Sequence, residues 1–121
     1  DPGRFELRLM DGSANPYLLQ ASVLAAGLYG LHNKIDPGKP LDCNMYEDYK
    51  KYPNLPKLPD ELSQSLEKLK NNKNMNEAFG EDVINSYIKL RSSEIKEFYQ
   101  EESFDKTKAI TRWERNNTLD C

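Results

Sequence analysis

Residues 15–31 read NPYLLQASVLAAGLYGL, and the demands of this run constrain everything around it. Asn15 is a strong N-cap and Pro16 suits the first helical position, so a helix is predicted to open there. From Tyr17 to Leu31 only Gln20 and Ser22 are polar. Apolar side chains then lie all round the helix, which predicts burial on every side. Ala21, Ala25, Ala26, Gly27 and Gly30 are small and permit close approach of a neighbouring helix or sheet. Asp36-Pro37-Gly38 ends the element, giving a buried helix within residues 13–35.

Upstream, Arg4, Glu6 and Arg8 alternate with Phe5, Leu7 and Leu9. This period of two predicts a strand with one charged and one apolar face, followed by a turn at Asp11-Gly12, within residues 1–12. Downstream, residues 36–58 carry Pro37, Pro40, Pro53 and Pro56 and are predicted as a long irregular loop. Residues 59–121 read as a helical tail. Pro59-Asp60-Glu61 supplies a first turn, and Leu62, Leu66 and Leu69 follow at helical spacing. Asn71 to Asn74 breaks this helix, and a short turn over Met75 to Phe79 is closed by Gly80. A longer helix is predicted from about Glu81 to Glu101, with Ile84, Ile88, Arg91, Ile95 and Phe98 on one face. A last helix is predicted from Asp105 to about Asn116, with Ile110 and Trp113 inward. The fold class is therefore mainly α, with one N-terminal strand, a buried helix, a Pro-rich loop and about three further helices.

The chain has 121 residues, enough for one domain with a modest core. Its formal net charge is -3, and its 17 Lys and Arg are spread along its length, which argues against sequence-independent nucleic-acid binding. No apolar run is long enough to span a membrane, and the start has no signal-peptide pattern. The first residue is Asp1 rather than Met, so a preceding segment is expected. Cys43 and Cys121 lie far apart, and with His32 they match no zinc spacing; unpaired thiols in a reducing, cytoplasmic compartment are expected. Tyr46, Tyr49, Tyr52 and Trp113 read as packing and amphipathic surface rather than as a nucleic-acid platform.

A single strand cannot satisfy its own backbone groups, and a helix apolar all round needs cover all round. Two arrangements answer both needs. An N-terminal part supplies a sheet, or the later helices wrap the apolar one into a small helical domain. The charged strand face also has two readings. Side chains on one face are about 6.6 Å apart, at about 3.3 Å rise per residue, so Arg4, Glu6 and Arg8 can share a cleft. Arg suits bidentate recognition of carboxylate or phosphate, and a Glu can ligate a divalent cation, which together suit phosphoryl transfer. The plainer reading is a solvated face with weak ion pairs.

The run RFELRLMDGSANPYLLQASVLAAGLYGLHNKIDPGKPLDCNMY, residues 4–46, closely resembles the start of the last third of glutamine synthetases. It carries the R-x-E-x-R strand, a turn, Asn-Pro-Tyr opening an apolar helix with Ala-Gly-Leu, and Asn-Lys-Ile-x-Pro-Gly, in order and without gaps. The wording LRLMDGSANPYLLQA, then Ala78-Phe79-Gly80, Trp113-Glu114-Arg115 and Thr118-Leu119-Asp120-Cys121, most resembles the bacterial type III glutamine synthetase-like group.

The resemblance implies a C-terminal fragment of an α+β catalytic domain, covering residues 1–121. It implies an ATP-dependent ligation of ammonia to the γ-carboxylate of glutamate through γ-glutamyl phosphate, with Mg2+ or Mn2+. Glu6 matches a metal-binding glutamate. Arg8 matches a catalytic arginine that contacts the glutamate substrate and its transferring phosphoryl, and Arg4 matches an arginine near the nucleotide phosphates. Asp11 and Asn15 match a turn and a helix cap, and His32 does not match the family's metal histidine. The family's other metal ligands and most nucleotide contacts lie upstream, so the fragment alone is expected to be inactive. The resemblance also implies a homo-oligomeric ring, with no nucleic acid or membrane partner. A γ-glutamyl-amide ligase using methylamine or a polyamine, and a non-catalytic helical interaction module, are the alternatives.

Overall fold

The first helix begins where its cap dictates. In the computed structural model, which describes residues 3–101 and 110–118, α1 runs Pro16–His32. The Asn15 side chain accepts hydrogen bonds from the Tyr17 and Leu18 amides, each at 3.1 Å. At the other end the Asn33 amide donates to Tyr29 O, and the Ile35 amide reaches Gly30 O at 3.0 Å. Closing the helix this way needs a left-handed residue, and Lys34 takes it, at φ 51°. His32 is the last residue of α1.

The remaining elements are α2 (Met45–Asp48), a 3-10 turn (Tyr49–Lys51), α3 (Leu62–Lys70), α4 (Lys73–Phe79), α5 (Glu81–Glu101) and α6 (Arg112–Asn117). The chain is mainly helical, as its sequence predicts. The loop predicted over residues 36–58 is interrupted, because the Asn44 side chain caps α2 by accepting from the Tyr46 amide at 3.2 Å. The helix expected from Pro59 starts only at Leu62. Asn72 caps α4 by accepting from the Met75 amide at 3.1 Å. One residue, Gly80, separates α4 from α5. Its φ of 84° is open to glycine and costly for other residues.

The core sits where α5 packs on α3, with α4 against both α5 and α1. Among the described residues, Leu66 of α3 and Ile84 of α5 are the buried apolar side chains. The predicted stripe is half right: Leu66 is buried and Leu69 half-buried, but Leu62 is exposed. Ile88, Ile95 and Phe98 are half-buried along α5. Farther along, Trp113 of α6 meets Phe98 edge-to-face at 5.6 Å between centroids. The α6 start is fixed by a capping box: the Thr111 amide donates to Glu114 Oε2 at 2.7 Å, and the Glu114 amide to Thr111 Oγ1 at 3.1 Å. Trp113 thus faces inward as predicted, whereas Ile110 is 62% exposed. The Asp105 end of the predicted last helix lies outside the described residues.

Two expectations need correction. Residues 4–9 form no strand, and no strand occurs among the described residues. The reason is the one the sequence raises: strand pairing needs a partner, and no other described segment offers one. The second concerns α1. No residue of it is buried, and Leu24 and Leu31 are 64% and 75% exposed. The later helices do not wrap it. They turn their own apolar stripes on one another, and among the described residues α1 is approached chiefly by α4 and the adjoining cavity wall. Burying one such leucine is worth about 1.5–3 kcal/mol, so the uncovered helix forfeits several times that amount.

The α3–α5 contact is the place where a small truncation is felt. Ile84→Ala in the 121-residue chain is expected to lower stability by about 2–4 kcal/mol in urea unfolding followed by circular dichroism. Leu90→Ala, on the exposed side of α5, is expected to change it by about 0.5 kcal/mol or less.

Candidate functional site

The charged side chains of residues 4–8 hang on a segment that carries no helix, turn or bridge. Glu6 and Arg8, two residues apart, nevertheless meet: Arg8 Nε donates to Glu6 Oε1 at 2.5 Å. Their side chains are 58% and 75% exposed, so the pair itself contributes at most about 1 kcal/mol. The contact uses only the Nε edge of the guanidinium. Among the described residues Arg8 Nη1 and Nη2 make no hydrogen bond, so the edge that suits a carboxylate or phosphoryl group is open. Arg4 is exposed and makes no ion pair among the described residues. The structure therefore brings Glu6 and Arg8 together and leaves Arg4 apart.

The opposite side of the segment is uncovered, with Phe5 78% exposed. The segment is anchored from its C-terminal end. Asp11 Oδ1 accepts from the Ser13 amide at 2.8 Å and from Ser13 Oγ at 2.7 Å, and the Ala14 amide donates to Asp11 O. This turn leads directly into the Asn15 cap. Hydrogen bonding from the Ser13 amide first, and from its hydroxyl second, holds the Asp11 carboxyl below its ordinary value, against a small opposing effect of burial. The turn also forms one edge of a cavity of about 310 Å³ between α1, α4 and α5, walled by Leu18, Leu19, Met75, Phe79 and Ile84.

A divalent cation takes about six oxygen ligands. Among the described residues no three His, Cys, Asp or Glu side chains gather to hold one. These residues do not make a metal site by themselves. Glu6 fits as a single carboxylate donor, since its second oxygen makes no hydrogen bond among the described residues.

A second arginine separates site from scaffold. Arg91 Nη1 donates to Glu94 Oε2 at 2.6 Å, and its guanidinium lies 5.4 Å from the centre of the Tyr87 ring. The Glu94 bond raises its pKa most, with desolvation opposing. Both contacts lie within α5. Sequence spacing put Arg91 on the apolar face of α5 but did not identify these partners; Glu94 three residues on was the available signal. Cys43 is free and half-buried, with Sγ 3.5 Å from Met45 Sδ. A hydrogen bond with Cys43 pushes the Tyr52 phenol up. Cys121 lies outside the described residues. No helix among the described residues is long and apolar enough to cross a membrane.

The chain matches the family model described as glutamine synthetase, catalytic domain, over residues 1–117. It belongs to the glutamine synthetase family. Glutamine synthetase of Rhizobium meliloti is 42% identical over 119 residues, covering 98% of this chain and 26% of that protein. That of Rhizobium leguminosarum bv. phaseoli is 39% identical over the same shares. That of Pyrococcus furiosus is 38% identical over 92% of this chain and 27% of its own length. The chain thus spans about a quarter of the length of these relatives. No solved structure matches it significantly.

The turn that anchors the segment yields a pH prediction. A carboxyl whose pKa falls on folding stabilises above its ordinary titration range, and that stability is lost as pH falls through the folded value. Removing one of its two donors with Ser13→Ala is expected to move the Asp11 carboxyl titration up toward the ordinary value, measured by carboxyl-carbon NMR. An unmoved titration would mean the Ser13 amide alone sets it.

Proposed function

We propose that residues 4–8 form one wall of the active site of an ATP-dependent ligase that joins ammonia to the γ-carboxylate of glutamate through γ-glutamyl phosphate. The observation that carries this reading is the Glu6–Arg8 juxtaposition with an open guanidinium edge, in a chain that matches the glutamine synthetase catalytic domain nearly end to end. Arg8 receives the substrate carboxylate and then the transferring phosphoryl, where two parallel N–H donors offset developing negative charge. Arg4 faces the nucleotide phosphates. Glu6 donates one carboxylate to Mg2+ or Mn2+, which when bound neutralises phosphate charge.

In this reading the other walls come from outside the chain, as does the cover for α1. The uncovered state of Phe5, Leu24 and Leu31 supports it, since each is an apolar surface awaiting a partner. The working protein is a cytoplasmic homo-oligomeric ring. The 121-residue chain alone is inactive.

The test is ATP-dependent amide formation by a protein that carries this chain together with the rest of its catalytic domain. Glutamine is the expected product, and Arg8→Gln is expected to lower kcat/KM by roughly a hundredfold or more. Methylamine or a polyamine outperforming ammonia would reassign the amine. Turnover by the 121-residue chain alone, or an Arg8→Gln enzyme equal to wild type, would overturn the proposed roles.

A further inference from the structure

An arginine on a segment without regular structure recognises an anion well only if its fork is held in one orientation. The Arg8 side chain is long and 75% exposed, so neighbouring elements do little to restrict its rotamers. Ordering such a side chain on binding costs up to about 2 kcal/mol of rotamer entropy. One contact restrains it, the Nε–H bond to Glu6 Oε1. That bond restrains the guanidinium through its Nε side. It leaves the two parallel N–H groups of the Nη1/Nη2 edge without a partner among the described residues.

We infer that Glu6 is a positioning residue for Arg8, orienting the guanidinium so that its Nη1/Nη2 edge meets the carboxylate or phosphoryl group. This role is separate from metal ligation and uses the other oxygen of the carboxylate. It rests on the proposed assignment of Arg8 to the anionic substrate. Its sign differs from that of plain electrostatics. A carboxylate beside an anion site repels the anion, so its removal alone would strengthen binding. A positioning carboxylate is needed for its acceptor oxygen.

Two neutral substitutions separate these effects. Glu6→Gln keeps an oxygen acceptor for Arg8 Nε–H, and Glu6→Ala removes it. Binding of L-glutamate is measured calorimetrically on the protein carrying the rest of its catalytic domain, in excess chelator so that divalent cations play no part. Glu6→Ala is expected to bind glutamate roughly 2- to 5-fold more weakly than Glu6→Gln, the factor an exposed pair of this kind carries. In an Arg8→Lys background, which lacks the Nε donor, the difference between the Ala and Gln variants is expected to vanish. Equal affinities for the two variants, or a difference that persists in the Arg8→Lys background, would overturn the inference.

The NMR signal of Arg8 Nε–H supplies a second reading that needs no substrate. It is expected to exchange with solvent roughly 2- to 5-fold more slowly in wild type and Glu6→Gln than in Glu6→Ala. Equal exchange rates in all three would also overturn the inference. Failure of the ligase reading looks different: no ATP-dependent amide forms in wild type, while the Ala–Gln difference remains.

Discussion

A helix with apolar side chains around its whole circumference must be covered around its whole circumference, and α1 sets that requirement for this chain. Among the described residues, two helix pairs bring their apolar stripes together. α3 and α5 bury Leu66 and Ile84 against each other, and α6 docks through Trp113 on Phe98. These contacts occupy the narrow apolar stripes of amphipathic helices. Nothing of comparable area is left for α1, which touches chiefly α4 and a cavity edge. Its termini are nevertheless complete, capped by Asn15 and closed by the left-handed Lys34. The helix is locally specified and globally unsatisfied.

The same division runs through the segment before it. The Asp11–Ser13 turn is held by side-chain and backbone hydrogen bonds and joins straight to the Asn15 cap. Residues 4–9 are thereby fixed at one end and open along their sides. Within them one local contact, Arg8 Nε–H to Glu6 Oε1, engages the Nε side of the guanidinium. An exposed ion pair of this kind is worth little to stability. The positioning role inferred for it rests on geometry instead, because orientation of a planar fork sets whether two hydrogen bonds or one can form with an anion. Arg91, paired with Glu94 and laid against Tyr87, commits its guanidinium to contacts within α5.

What the sequence determined by itself was the local grammar. The Asn15 cap and the Gly80 break follow from residue type and spacing, because each depends on atoms within a few positions, whereas the Asn72 cap lies inside a stretch read only as a helix break. Family membership was equally legible, through the ungapped run from Arg4 to Tyr46. Tertiary structure alone decided which apolar residues found cover. Leu62 and Leu66 share one sequence stripe, yet only Leu66 is buried, because cover depends on where α5 meets α3. The strand predicted at residues 4–9 did not form, since pairing is a property of two segments. For the same reason the candidate site is readable in the sequence only as a set of donors, while its geometry is a tertiary property.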